Sequence, residues 1–206
     1  MATTHQKVEQ GARSREALLD AAIALIAEGG YTATGVDAIA RRSGVVKSAL
    51  YWHFGSKDGL LVAALERTAR EWVSDFEAAV VQSDDPAARL EGLFKNVRGL
   101  YLDRPERVRL IMSALIERGP NNEEVRQGVA RIFAAMRSAI ARGMSVLPIP
   151  KERVDGIAAL VLETLGGTFL DLSAEPSLDL LEQRLKVIRK MLALMVASEL
   201  EKGAAA

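Results

Sequence analysis

Apolar residues recur along this chain at spacings of three and four, which is the period of an amphipathic helix rather than of a strand. Clusters of glycine, proline, serine and aspartate interrupt the pattern at eight places, from Gly29-Gly30 to Glu175-Pro176-Ser177. The segments between them are rich in alanine and leucine, which favour helix. The pattern therefore predicts an all-α fold with nine helices and no strand.

The interruptions also set the bounds of the predicted helices. These cover about residues 13–28, a short stretch after Thr34, 46–53, 57–82, 87–102, 105–118, 122–146, 151–173 and 178–202. Thr34 and Asp37 have the spacing of a capping box at the second helix, and Ser56 is a suitable N-cap for the fourth. The first twelve residues are polar, and we expect a flexible tail there.

The segment from Ile39 to Leu61 carries most of the functional information. It places two short helices around a turn at Gly44, and the second helix has two distinct faces. One face comprises Val45, Ala49, Leu50 and Phe54, and the other comprises Lys47, Ser48 and Tyr51, with Trp52 and His53 at its edge. A cation, a hydroxyl and aromatic groups on a short exposed helix suit a DNA major groove. The alternative is that the aromatic residues at 51–53 close the core of a three-helix unit that does not bind DNA.

Charge and composition narrow the class of protein. Basic and acidic residues are equal in number, at 27 each, which disfavours a non-specific nucleic-acid coat. Between Gly30 and Lys57 there are four bases and one acid, so the positive charge is local. The chain has no cysteine, no signal-peptide pattern and no uninterrupted apolar run of the ~18–20 residues that a membrane span needs. We therefore expect a cytoplasmic protein without disulfides and without a membrane partner.

From about Arg13 to Leu65, the chain resembles the DNA-binding domain of the TetR/AcrR family of transcriptional regulators. The matching residues are Gly30-Tyr31, Thr34, Val36, Ile39-Ala40, Gly44-Val45, Leu50-Tyr51, His53-Phe54, Ser56-Lys57-Asp58 and Leu60-Leu61. This dispersed pattern covers about the first third of the chain. The resemblance implies an N-terminal three-helix DNA-binding domain with a helix-turn-helix, followed by a C-terminal helical domain for ligand binding and dimerisation.

The resemblance also implies roles for individual positions. The implied DNA contacts are Thr34, Tyr51, His53 and Lys57 at phosphates, Lys47 and Ser48 at bases or the adjacent backbone, and Trp52 beside them. Tyr31 and Phe54 are expected to pack helix one against helix three. Val46 stands where the family usually has a hydroxyl residue at the N-cap, a change that affects which bases are contacted rather than whether DNA is bound.

The last predicted helix is apolar on two sides. One row comprises Leu181, Leu185, Ile188, Leu192 and Met195, and a second comprises Leu180, Val187, Met191 and Leu194. We expect this helix to pack once against its own subunit and once against a second copy; the alternative is a helix central to one subunit. The predicted dimer interface combines the first row with Val161, Leu165 and Phe169. Gly166-Gly167 allows either close helix approach there or a kink beside a ligand cavity.

Candidates for an effector pocket come from helices five to eight. They are Phe94, Tyr101, Met112, Phe133, Met136, Glu163 and Thr164. Most of them are equally suited to an ordinary core, whereas Glu163 and Thr164 are polar positions within an apolar helix.

Together with what the resemblance implies, these observations predict a transcriptional regulator: a repressor that binds a palindromic double-stranded DNA operator as a homodimer and is released by a small-molecule effector. The predicted domains are a tail at 1–12, a DNA-binding domain at 13–57 and an effector-binding and dimerisation domain at 58–206. The alternative is a helical ligand- or partner-binding protein with a degenerate helix-turn-helix. An enzyme is not expected, and neither a cofactor nor a metal ion is implied, because the chain shows no phosphate loop, nucleophile motif or metal-ligand spacing.

Overall fold

The structure, a computed structural model, describes residues 2–147 and 149–204. Within these residues the α-helices are α1 (Ala2–Gly29), α2 (Val36–Ser43), α3 (Lys47–Phe54), α4 (Lys57–Phe76), α5 (Pro86–Leu102), α6 (Pro105–Ser113), α7 (Glu123–Gly143), α8 (Lys151–Ala174) and α9 (Leu178–Ala204). π-helical turns at Glu77–Val81 and Ala114–Arg118 continue α4 and α6, and a 3₁₀ turn at Gly119–Asn121 precedes α7. The described residues contain no strand, so the predicted all-α fold is confirmed.

The first helix is longer than the sequence predicted. It begins at Ala2 instead of Arg13, so the segment expected as a tail is helical; Met1 lies outside the described residues. This segment gave no apolar pattern because its residues are mostly polar. Several of them, such as Gln6, Lys7 and Glu9, nevertheless have good intrinsic helix propensity, and propensity does not require an apolar face.

The other helix ends lie within a few residues of the predicted ones, because turn residues act locally. Pro86 and Pro105 stand in the first turns of α5 and α6, where a helix has no use for the missing amide proton. The Ser56 hydroxyl accepts the amide of Gly59 at 2.9 Å and caps α4 as predicted. Val46 stands at the N-cap of α3 without a side-chain cap, also as predicted.

The predicted capping box at α2 is wrong. Its N-cap residue is Gly35, and no side chain caps this end of the helix. Thr34 is buried, and its hydroxyl lies 2.7 Å from the carbonyl oxygen of Gly30 and 3.2 Å from that of Leu25. Carbonyl groups at the end of a helix lack helical partners. The Thr34 hydroxyl therefore satisfies the end of α1 instead of the start of α2.

The first of two compact units consists of Met1–Arg70 and Arg104–Ile132. In this unit α1 packs against α2, α3 and α6. Its fully buried side chains are aliphatic and include Leu18, Leu19, Ile26, Ile39, Leu50, Leu60, Leu61, Leu65 and Leu110. Because Leu50 anchors α3 in this core, the opposite face of α3 remains in solvent.

The second compact unit consists of Glu71–Asp103 and Phe133–Ala206. Here α5 packs against the π-helical turn Glu77–Val81 and against α9, while α8 packs against α9. Gly92 allows a very close approach to that turn, because a Cβ at this position would lie 2.1 Å from the carbonyl oxygen of Ala79. These two units do not coincide with the predicted domains, which divide after residue 57. The predicted division is one of function, and it remains a prediction.

One helix of the described residues, α8, has the length and hydropathy of a membrane-spanning segment. Length and composition are a weak indication by themselves, because the core helix of a soluble protein meets the same criteria. Ala158, Val161 and Leu165 of this helix are buried in the core of the second unit.

Candidate nucleic-acid interface

α3 is held by its apolar face. Leu50 is fully buried and the other residues of this face, Val45, Ala49 and Phe54, are partly buried, as predicted. The preceding turn requires Gly44 at φ 68° and ψ 14°, a left-handed conformation that favours glycine. The turn and the Leu50 anchor together fix the direction of α3 within the first unit.

The opposite face of α3 carries four of the seven predicted DNA contacts. Lys47, Ser48, Tyr51 and Trp52 are all exposed, with 46% of Tyr51 and 78% of Trp52 accessible to solvent. A buried aromatic side chain removes roughly 150–250 Å² from water, so leaving one exposed forgoes a large stabilising contribution. The alternative in which Tyr51 and Trp52 close the core is therefore wrong.

Lys47 forms an ion pair across the surface of the helix-turn-helix. Its Nζ lies 3.0 Å from Oδ1 of Asp37 in the first turn of α2, and both side chains are exposed. The hydrogen bond to Asp37 raises the pKa of Lys47 above its usual value, so the side chain stays charged. Exposed pairs contribute little to stability. Lys47 can therefore exchange Asp37 for a phosphate or a base at little cost.

His53 lies at the edge of the same face and is half-buried. Its ring meets Trp52 edge-on, with the centroids 4.5 Å apart. Burial, together with the nearby charge of Arg15, lowers the pKa of His53 below its usual value. The imidazole is therefore neutral near pH 7 and offers one donor and one acceptor. Arg15 itself lies over the Phe54 ring, 5.4 Å from its centroid, a contact that the sequence pattern did not reveal.

Two predicted contacts, Thr34 and Lys57, point into the protein. The Thr34 hydroxyl satisfies the end of α1, as described above. The Lys57 Nζ donates to the carbonyl oxygen of Tyr31 at 2.6 Å and lies 3.9 Å from the centroid of the Tyr31 ring. Burial lowers the pKa of Lys57 below its usual value. In this conformation neither side chain is free to bind a phosphate.

The carboxylate of Asp58, at the start of α4, accepts hydrogen bonds from several parts of the first unit. Arg118 donates to both oxygens of Asp58, at 2.8 and 2.6 Å, Asn122 donates at 2.9 Å, and the Tyr31 hydroxyl also donates. The hydrogen bond from Arg118 is the main reason why the pKa of Asp58 lies below its usual value. A guanidinium that bonds both oxygens fixes orientation as well as charge. Asp58 therefore ties the α1–α2 loop to residues 118–122.

Glu117 holds the same loop from a neighbouring position. Its carboxylate accepts the backbone amides of Tyr31 at 3.1 Å and Thr32 at 2.8 Å, and the hydroxyl of Ser113 at 2.6 Å. Burial raises the pKa of Glu117, but these hydrogen bonds lower it by more, to about 2. No local sequence pattern marks Glu117 or Arg118 as functional residues, because the loop and helix that they hold lie 60 to 86 residues away along the chain.

The residues predicted for an effector pocket are divided between the two compact units. Met112 belongs to the first unit and the other six to the second. Tyr101 and Thr164 use their hydroxyls within the protein, donating to backbone carbonyls of α8 at 2.5 and 2.7 Å. Of the other four predicted residues in the second unit, Phe94 and Met136 are buried, Phe133 is partly buried and Glu163 is exposed. Periodicity places residues on a helix face, but it does not show which side chains leave space between them.

A cavity of about 320 Å³ lies elsewhere in the second unit. Its walls include Phe76, Val80, Leu93, Ile140, Met144 and Leu192, and it is hereafter the apolar cavity. Arg89 is the one ionisable side chain among its lining residues. Within the part of the chain that the structure describes, no group of three His, Asp or Glu side chains is placed to hold a metal ion.

The predicted dimer row is mostly core of the second unit. Phe169 and Met195 are partly buried, and the other six are buried in the single chain: Val161, Leu165, Leu181, Leu185, Ile188 and Leu192. A side chain that is already buried has no surface left to lose to a partner. Three residues of the second row of α9 are exposed instead, with Val187 at 53%, Met191 at 38% and Leu194 at 61%, while Leu180 is partly buried. Both rows have the same spacing and similar composition, so the sequence could not distinguish them.

Comparisons with known proteins agree with this arrangement. A family model described as "Bacterial regulatory proteins, tetR family" matches residues 18–64. The HTH-type transcriptional regulator BetI of Rhizobium meliloti is 28% identical over 156 residues, which cover 76% of each chain. The HTH-type transcriptional activator FasR of Mycolicibacterium smegmatis is 42% identical over 76 residues, 37% of this chain and 35% of that protein. A transcriptional regulator from Rhodococcus sp. Rha1 shares the fold, with a TM-score of 0.73 at 22% identity over 86% of this chain and 94% of that one.

Proposed function

We propose that this chain, which belongs to the TetR family of transcriptional regulators, is a cytoplasmic repressor that binds a palindromic operator as a homodimer and leaves it when a small molecule binds. The observation that carries the proposal is the exposed face of α3, where Tyr51 and Trp52 stand beside Lys47. This face combines aromatic, hydroxyl and cationic groups, the contacts by which proteins hold phosphates and base edges. The family consists of DNA-binding regulators rather than enzymes.

The first turn of α3 supports this proposal in a second way. Val46 supplies no side-chain cap, so the first amides of the helix have no side-chain acceptor. Such amides, at the positive end of the helix dipole, bind anions. A phosphate of the operator backbone takes the place of the missing cap, with Lys47 and Ser48 beside it. Lys47 then leaves Asp37 for the DNA, and the Tyr51 hydroxyl binds a further phosphate.

The exposed apolar face of α8 and α9 supports the dimer. It comprises Leu160, Leu170, Val187, Met191 and Leu194, which are between 38% and 61% exposed. Gly166 and Gly167 are exposed as well, and a Cβ at either position would meet no atom within 4 Å, so a second copy can approach closely there. Large apolar side chains left in solvent on two packed helices are typical of an interface. A two-fold dimer presents two recognition helices, and these match the two halves of a palindrome.

Selection of bound fragments from a sheared genomic library of the source organism tests the proposal. Purified protein is incubated with the library at a physiological salt concentration of about 150 mM, and the retained DNA is sequenced. A recurring imperfect palindrome is the expected result. No enrichment, together with a flat response of DNA affinity to salt, would instead favour a helical ligand- or partner-binding protein, because binding through phosphates depends steeply on salt.

Point variants connect the selected operator to α3. Lys47→Ala is expected to weaken operator binding and to reduce the slope of log affinity against log salt by about one. Lys95→Ala is the matched control, because it removes the same charge from an exposed position of the second unit. Equal losses in the two variants would show that net charge, rather than α3, accounts for the affinity.

A further inference from the structure

We propose that the apolar cavity is the effector site and that it takes an uncharged, apolar molecule of about ten to twelve non-hydrogen atoms. This inference rests on the proposed function, because it assigns a ligand class to the proposed release step. The cavity has a volume of about 320 Å³. A dry protein cavity of about 150 Å³ accepts one benzene, so twice that volume accepts two fused rings or a medium alkyl chain.

The helices around the cavity are closely packed, so the cavity is not a result of loose packing. Gly143 ends α7 against the end of α4, where a Cβ would lie 3.0 Å from Val80 and 3.2 Å from Phe76. Gly92 brings α5 still closer to the adjoining π-helical turn, where a Cβ would lie 2.1 Å from the carbonyl oxygen of Ala79. At Gly92 a side chain would clash with the backbone, and at Gly143 a Cβ would fit only if its neighbours moved by a few tenths of an ångström, yet the space beside these contacts stays open. Since protein interiors are otherwise close-packed, we infer that the space is kept for a ligand.

The chemistry of the lining argues for an uncharged ligand. Thirteen of the fourteen lining residues are apolar or glycine, and the exception is Arg89. The Arg89 guanidinium donates within the protein to the carbonyl oxygens of Val81, Ser83, Arg142 and Gly143 and to the Ser145 hydroxyl. A carboxylate ligand would have to displace these partners. A cationic ligand would find no carboxylate among the lining residues and would lie near the charge of Arg89.

The cavity also has a built-in reporter. Phe76 lines it, and Trp72 stacks on Phe76 with the ring centroids 5.1 Å apart. Trp72 and Trp52 are the two tryptophans of the chain, so Trp52→Phe leaves Trp72 as the sole indole. Its fluorescence reports occupancy of the cavity in the absence of DNA.

The test is a titration of the full-length Trp52→Phe protein with naphthalene and with 1-decanol, followed by Trp72 emission. Sodium decanoate and choline serve as the anionic and cationic comparison. Saturable changes with the two uncharged probes, and affinities at least tenfold weaker for the charged ones, are expected. Ala193→Phe, at an exposed position on the rim, should weaken 1-decanol binding at least tenfold. Ala130→Phe is the matched control at an exposed position of the first unit and should bind as before.

The link to DNA is tested separately with the wild-type protein and the selected operator. The two uncharged probes should weaken operator binding at least fivefold, and operator should weaken the probes by the same factor. Absence of a saturable Trp72 response, equal binding by Ala193→Phe, or tighter binding of decanoate would overturn the cavity assignment. Probe binding that leaves operator affinity unchanged would overturn the effector role. Probe binding by a protein that selects no operator would support the cavity site and refute the proposed function.

Discussion

Replacing Glu117 by glutamine should lower the free energy of unfolding by about 1–2 kcal/mol near neutral pH and by much less in acid. In the folded protein the pKa of Glu117 is about 2, compared with an ordinary value of 4.5. At ~1.36 kcal/mol per pKa unit, this difference corresponds to roughly 3 kcal/mol. The carboxylate is only partly buried, and screening by water reduces the expected effect to about 1–2 kcal/mol.

The pH dependence follows from the direction of the shift. A folded-state pKa below the unfolded value stabilises the protein fully above about pH 4.5, and the stabilisation is lost as the pH falls toward about 2. The difference between wild type and Glu117→Gln should therefore fall to less than half of its neutral value near pH 3. Urea unfolding followed by circular dichroism, at about pH 7, 5 and 3 and at one protein concentration, measures this difference.

A matched control isolates the loop contact from the loss of a charge. Glu124→Gln removes the same charge from an exposed position in the first turn of α7 and should change stability by only ~0.3–0.5 kcal/mol. If Glu117→Gln destabilises equally at about pH 7 and 3, the charge of Glu117 is not what binds the amides of Tyr31 and Thr32. If Glu117→Gln and Glu124→Gln lower the free energy of unfolding by the same amount, the hydrogen bonds of Glu117 to the loop contribute no more than an exposed charge does.

Three further predictions test the interface, the core and the dimer. Tyr51→Ala should weaken operator binding at least tenfold in a fluorescence anisotropy titration. Because the ring is exposed, Tm should shift by less than about 2 °C. A large fall in Tm would instead show that Tyr51 has a structural role. Gly92→Ala places a Cβ 2.1 Å from the carbonyl oxygen of Ala79 and should lower Tm by roughly 4–8 °C in calorimetry; an unchanged Tm would mean that α5 is not held so closely. Leu194→Asp should convert a dimer into a monomer in sedimentation equilibrium with unchanged helicity; a persistent dimer would exclude the α8–α9 face.

The fold was predictable where the signal is local. Pro86 and Pro105 mark helix starts, and Ser56 marks the cap of α4, because each acts on its own neighbours in the chain. The exposed face of α3 was also predictable, since Leu50 fixes which side of a helix is buried. The predicted role of Thr34 as a cap of α2 was wrong, because a hydroxyl near a helix start can bond the preceding helix as well as the following one.

The remaining features depend on contacts that periodicity does not contain. Leu192 and Leu194 belong to rows of similar spacing and composition on α9, and only the packed chain shows that Leu192 is buried and Leu194 exposed. Glu117 is 86 residues from Tyr31, so nothing in either local sequence indicates their hydrogen bond. A cavity is defined by what its lining residues leave unfilled, and no residue type signals that.

The long-range hydrogen bonds of the first unit determine which segments must move together when domains are exchanged between related regulators. The α1–α2 loop and the start of α4 are bonded to Glu117, Arg118 and Asn122 through Tyr31, Thr32 and Asp58. A hybrid that grafts only residues 1–57 onto another regulator would leave these anchors behind, including Asp58. Transplanting Met1–Arg70 together with Arg104–Ile132 keeps them. The portable module of this protein is therefore discontinuous in sequence, and operator specificity should travel intact only when both segments move together.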